Sequence, residues 1–174
     1  GRRDGKTYSL TIAGAAGAWY LNQIEAVKVA DIVDHIFLMG YDLHGTWDTY
    51  ADLNAPLYTP SAASPQSKTS ISSCVQAYLN KGIPAEKIVL GMPLYGYAYQ
   101  GVSSKNNGLY STYTSARSVS YKTIKNSYLN QSTYRQLRHE EAQVPYLYGK
   151  NTFISYDDVT SITAKAELAR SLGL

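Results

Sequence analysis

Three short apolar, β-rich runs, each stopping at glycine and each separated from the next by helical sequence, narrow what this chain can fold into. They are "TYSLTIAGAAG" (7–17), "VDHIFLMGYD" (33–42) and "KIVLGMPLYGYAY" (87–99). Near-continuous apolar runs of this length are the mark of strands buried on both faces of a parallel sheet. Between the first two, "WYLNQIEAVKVADIVD" (19–34) is rich in helix formers and sets Ile24 and Val27 on one side. Between the second and third, "KTSISSCVQAYLNKG" (68–82) puts Ile71, Val75, Tyr78 and Leu79 on one helical face, and Gly82 stands where a C-terminal cap belongs. Strand, helix, strand, helix, strand predicts an α/β fold around a parallel sheet, open or closed.

The second run is followed by a long loop, "HGTWDTYADLNAPLYTPSAASPQS" (44–67), of the kind that carries function in compact domains. From about Gly101 to Ser155 the period breaks; turn signals such as "NNG" and many tyrosines predict a small inserted subdomain. "SYDDVTSITAKAELARSLGL" (155–174) predicts a closing helix with Asp158 as N-cap, Val159, Ile162, Ala166 and Ala169 on one face, and Gly173 at the end. The expected organisation is therefore strands and helices over 1–100, an α+β insertion over 101–155, and a returning helix over 156–174. Three strands are too few for a closed sheet, because an eight-stranded α/β barrel takes about 250 residues. The chain reads as part of a larger domain.

Composition removes several function classes. A net charge of +3 with scattered Lys and Arg gives no basic run, so neither nucleic acid nor a membrane surface is an expected partner. Residues 1–8 lack the apolar core of a signal peptide and no stretch approaches the roughly 20 apolar residues of a spanning helix. Any export signal would lie upstream. The single cysteine, Cys74, excludes an internal disulfide framework and reads as a small buried group. Seventeen tyrosines against two tryptophans and two phenylalanines favour a wet cleft whose partner has both CH faces and hydroxyls, as sugars do and as many protein surfaces do.

Other motifs have plainer readings. "HEEAQ" (139–143) has Gln143 where a zinc protease needs its second histidine. His35 and His44 read as packing or hydrogen-bonding residues, so no metal site and no cofactor is expected. Asp157 and Asp158 open a helix and read as capping and dipole partners rather than as a catalytic pair. Glu86 reads as first-turn helical charge, and the sequon at Asn130 matters only in a host that glycosylates.

At the strand ends the residues resemble a known family. "LMGYDLHGTWD" is similar to the Met-x-Tyr-Asp signature of glycoside hydrolase family 18, the chitinases, and "KIVLGMPLYGY" resembles that family's Gly-x-Pro-x-Tyr-Gly signature on the next strand. "SLTIAGAAG" looks like the preceding strand, and "FISYDDVTSITAKAELARSLGL" is similar to the approach to the last helix. The resemblance covers nearly the whole chain. It implies a partial (β/α)8 TIM barrel, strands five to seven plus helix seven, with an α+β insertion, and a substrate-assisted, retaining cleavage of β-1,4-linked N-acetylglucosamine polymers. In that chemistry the sugar's own acetamide attacks the anomeric carbon. By resemblance Tyr41 donates to the acetamide oxygen and Asp42 sets the electrostatics beside the catalytic acid. Met39 would line the N-acetyl pocket, Trp47 would stack a sugar on the leaving-group side, and Tyr95, Tyr97 and Met92 would line the cleft.

The departures matter as much. The family's proton donor is the glutamate of an Asp-x-x-Asp-x-Asp-x-Glu motif, a spacing that this sequence lacks, and the closing tryptophan of the last strand is missing too. Tyr97 stands where many members carry arginine. The expectation is a fragment of a secreted, extracellular chitinase, inactive alone, whose partners are chitin oligosaccharides and the N-terminal half of the same barrel. The alternatives are a non-catalytic chitin-binding lectin of the same fold, and a half-barrel that completes itself by pairing with another chain. Retention of both Tyr41 and Asp42 favours the enzyme.

Overall fold

A computed structural model describes residues 4–62 and 68–174; residues 63–67, the end of the long loop, lie outside the described residues. Two sheets organise the chain. The first is parallel, in the order β1 (Thr11–Ala15), β2 (His35–Met39), β3 (Ile88–Leu90), with Ile36 opposite Ile12 and Ile88. Side chains alternate across a strand, so Ile36, Leu38 and Ile88 turn to a face that helices cover and are buried. Phe37 and Val89 turn to the other face, 45% and 38% exposed. Burial on both faces was the expectation from sequence; among the described residues only one face is covered.

The covering helices are short. The stretch 19–34, expected as one helix, is two: α1 (Ala18–Leu21) and α2 (Ala26–Ile32). Leu21 and Ala26 are both buried, yet five residues apart on one helix they would point about 140° away from each other. The break lets both reach the core, and it leaves Val27 exposed. Helix α3 (Ile71–Asn80) is as expected, with Ser70 and Ser73 in a reciprocal cap at its start and Ile71, Val75 and Tyr78 buried. The Tyr78 hydroxyl donates to the Ala15 carbonyl at 2.8 Å, which fastens α3 to the end of β1. Cys74 is buried, and burial pushes its thiol up to about 11.

The second sheet is antiparallel, ordered β5-β4-β8-β7-β6, from β4 (Tyr95–Gln100), β5 (Ser115–Ser120), β6 (Arg135–His139), β7 (Val144–Gly149) and β8 (Thr152–Ser155). The run 87–99, expected as one buried strand, is therefore two strands in two sheets. Pro93, which cannot donate to a ladder, stands between them, so the change of sheet falls at Tyr95, inside the stretch read from sequence as 1–100. Both faces of this sheet are filled. One carries Tyr97, Tyr99, Tyr146, Tyr148 and Phe153 against Ala51 and Leu53 of the long loop; the other carries Ala98, Leu147 and Ile154 against Ile124 of α4 (Tyr121–Ile124). Lys150 and Asn151, both at positive φ, close the β7–β8 hairpin.

Helix α5 (Val159–Ser171) follows β8, capped by Asp158 with Ser161 as the sequence implies. Its buried side differs from the expected one. Val159 is 79% exposed and Ala166 is exposed, whereas Ser161 and Lys165 are buried and Ala164, Leu168 and Leu172 pack on the core of the parallel sheet. Lys165 is admitted because its ammonium lies 2.5 Å from Asp157 Oδ1, which the Ser161 hydroxyl also reaches at 2.7 Å. Asp157 is thus an ion-pair partner and Asp158 the cap.

Candidate active site

The second strand ends where its backbone must pass close to the third. A Cβ on Gly40 would sit 2.6 Å from the Gly91 carbonyl, and one on Gly91 2.9 Å from the Leu38 carbonyl. The two glycines let the Gly91 N–H continue the ladder to Leu38 at 2.8 Å, and they free the next residues from the sheet. Asp42 then adopts a left-handed backbone, φ 58, a conformation that Asp and Asn tolerate better than other side-chain-bearing residues.

Asp42 is held from two sides. Its N–H donates to Asn54 Oδ1 at 2.9 Å; Asn54, fully buried in the long loop, also accepts the Leu43 N–H on its carbonyl at 3.0 Å and donates its own N–H to Ser155 Oγ at 2.7 Å. The Asp42 side chain accepts two phenols on one oxygen, Tyr95 and, at 2.8 Å, Tyr97, both donating to Oδ1. Oδ2 has no hydrogen bond among the described residues. Burial, and then the bond to Asp42, push both phenols well above their ordinary range, so they stay neutral donors. Tyr41 meets Tyr95 edge to face at 6.0 Å, and Trp47 meets Tyr97 likewise at 5.8 Å.

These groups border a groove of about 690 Å³ at the ends of β1 and β2, lined by Ala15, Trp19, Met39, Tyr41, Asp42 and Trp47, with the start of α3 closing one side. Of the residues singled out from sequence, Met39, Tyr41, Asp42 and Trp47 line it, and Tyr95 and Tyr97 reach it through Asp42. Met92 does not. It lies in a separate groove with β3 and the Ala166–Ala169 side of α5, in step with Ile88 and Leu90 along the chain. Trp19 and Asn54 were missed. Trp19, 66% exposed beside Gly17, offered one signal, an indole directly after a strand; Asn54 offered none. His44 is buried with Nδ1 3.1 Å from Asp48 Oδ2 and 3.6 Å from Asp52 Oδ2, a packing and hydrogen-bonding role. No group of three His, Cys, Asp or Glu side chains that could hold a metal ion occurs among the described residues. No helix among them is long and apolar enough to cross a membrane.

What the arrangement can do is limited and specific. It presents one carboxylate oxygen already saturated by phenols, a second oxygen open to a donor, and two indoles on a polar-rimmed groove, a surface for a ligand with CH faces and hydroxyls.

Chitinase A1 of Niallia circulans is 39% identical over 189 residues, which covers all of this chain and 27% of that protein; chitinase B of Serratia marcescens is 30% identical, over 95% of this chain and 44% of that one. Among solved structures, a family 18 N-acetylglucosaminidase from Paenibacillus barengoltzii matches with a TM-score of 0.93 at 32% identity, over 99% of this chain and 51% of that chain. Chitinase ChiA74 from Bacillus thuringiensis matches at 0.92 and 32%, over 98% and 31%. The chain thus spans less than half of these curated relatives. The sequence profile of the glycosyl hydrolases family 18 matches residues 1–174 from end to end, and the chain belongs to that family.

Proposed function

We propose that this chain forms one wall of a chitin-binding cleft in a family 18 hydrolase, with β1, β2 and β3 as the fifth to seventh strands of a TIM barrel. The observation that carries the reading is Asp42: a single carboxylate in left-handed geometry at a strand end, with two neutral phenols on one oxygen and an exposed indole beside it. Substrate-assisted cleavage needs a preorganised charge beside the proton donor and the reacting sugar, and Asp42, with Oδ2 free of hydrogen bonds to the described residues, supplies it. Tyr41, whose hydroxyl makes no hydrogen bond to the described residues, donates to the acetamide oxygen. Trp47 and Trp19 stack sugar rings. The proton to the leaving oxygen comes from a glutamate outside this sequence, so the chain binds but does not cleave. An insoluble polymer as substrate places the protein outside the cell.

Both tryptophans of the chain line the groove, so their emission reports on it directly. Titration of the 174-residue chain with chitotetraose is expected to give a saturable shift that Trp47→Ala abolishes. Unchanged emission at millimolar sugar overturns the reading. In the protein with its barrel closed, Asp42→Asn keeps the backbone geometry and lowers kcat on the order of a hundredfold, the scale of removing one preorganised electrostatic group. Turnover equal to the parent's would count against catalysis and leave binding alone.

A further inference from the structure

Trp47 is an unusual platform in that little of the parallel sheet holds it. It sits on a turn, Gly45 to Asp48, closed by the Asp48 N–H on the Gly45 carbonyl at 3.1 Å and by Asp48 Oδ2 on the Gly45 N–H at 3.0 Å. The indole is 61% exposed. The support comes from the loop that leads into β5 of the antiparallel sheet. The Tyr113 hydroxyl lies within reach of two carbonyls, Thr46 at 3.2 Å and Asp48 closer still. These are the residues on either side of Trp47, so one phenol hydrogen brackets the peptide units that carry the indole.

Tyr113 itself is fixed. Its ring packs on that of Tyr99 at 5.0 Å, and Tyr99 is fully buried among the aromatics of the second sheet. The backbone just before it is stitched to the same loop: Tyr50 bridges Thr112, the Ala51 N–H donates to the Ser111 carbonyl at 2.8 Å, and the Tyr110 N–H donates to the Ala51 carbonyl at 2.9 Å. Burial, and then the charge of Asp48, raise the Tyr113 phenol, which keeps it a donor.

We propose that Tyr113 is the positioning residue for Trp47, so that the antiparallel sheet sets how firmly the sugar-stacking indole is held. Its consequence for binding rests on the stacking role given to Trp47 above; the positioning itself does not. Tyr113→Phe keeps the ring on Tyr99 and removes only the donor, which separates positioning from packing. The measurement uses a Trp19→Phe background, in which Trp47 is the sole indole, with acrylamide quenching and emission anisotropy read without sugar.

In Tyr113→Phe quenching is expected to rise and anisotropy to fall, while Tm stays within about 5 °C of the parent and affinity for chitotetraose weakens roughly fivefold, the scale of one hydrogen bond. Tyr128→Phe, which loses a hydroxyl bonded to Arg117, should change none of these. Quenching and anisotropy unchanged in Tyr113→Phe overturn the proposal, whether or not sugar binds. If the indole loosens but the parent binds no sugar, positioning stands and the stacking role falls. If it loosens with affinity unchanged, the claim that the second sheet tunes binding falls.

Discussion

The two phenylalanines of the chain, Phe37 and Phe153, both stand inside strands and meet opposite fates: one is 45% exposed and the other fully buried. The difference is between the two sheets. Parallel strands are joined by long crossovers, so the cover for each face must come from other elements, and here helices cover one face while Phe37 and Val89 stand on the other. In the antiparallel sheet every paired neighbour except β4 with β8 is also a neighbour in sequence: β7 and β8 share a hairpin, and Tyr146, Tyr148 and Phe153 bury one another. The parallel sheet presents the groove with one of its faces bare, and the antiparallel sheet fills both of its own and lends the site Tyr95 and Tyr97.

Removing the link between the sheets should have the largest effect. Asp157 ends the segment leaving β8, and Lys165 lies on α5, which packs on the parallel sheet. Lys165→Met leaves Asp157 buried without its cation and is expected to cost about 4 kcal/mol in chemical denaturation, whereas Asp157→Leu combined with Lys165→Met should come within about 1 kcal/mol of the parent. A single variant as stable as the parent would show that the pair does not couple the sheets. Next, Phe153→Ala should cost about 4 kcal/mol and Phe37→Ala less than about 1 kcal/mol, since little burial is lost at the second site. Equal costs would mean that Phe37 is covered in solution.

The smallest effect concerns acid. Burial alone would raise the Asp158 carboxyl, but the Ser161 N–H and the Arg138 guanidinium outweigh it and hold the group below 3.8. A depressed folded value contributes stability above the unfolded value that is lost as pH falls through the folded one. The Tm gap between the parent and Asp158→Asn should therefore be present at neutral pH, worth under about 1 kcal/mol at this half-exposed site, and should close below 3.8. A gap that persists in acid would assign the difference to capping geometry rather than to charge.

How far the sequence reveals this molecule depends on the range of each contact. Local rules served well: the strand ends at Gly40 and Gly91, the Asp158 cap, the α3 face and buried Cys74 are all matters of a few residues. The signature around Tyr41 and Asp42 was legible because strand and turn are contiguous. Asn54 was not, since what makes it matter is a hydrogen bond to Ser155, 101 positions away. Lys165 misleads for a related reason. A lysine in a helix reads as solvated until the partner that buries it is known.

The left-handed backbone at Asp42 has an evolutionary consequence. Most replacements there strain the turn as well as remove the acid, so they are exposed to selection on folding. Asparagine alone keeps both the geometry and the size, and a single base change in either aspartate codon supplies it. A lineage under no pressure to cleave its ligand can therefore lose this charge in one step while its scaffold, groove and stacking rings pass on intact.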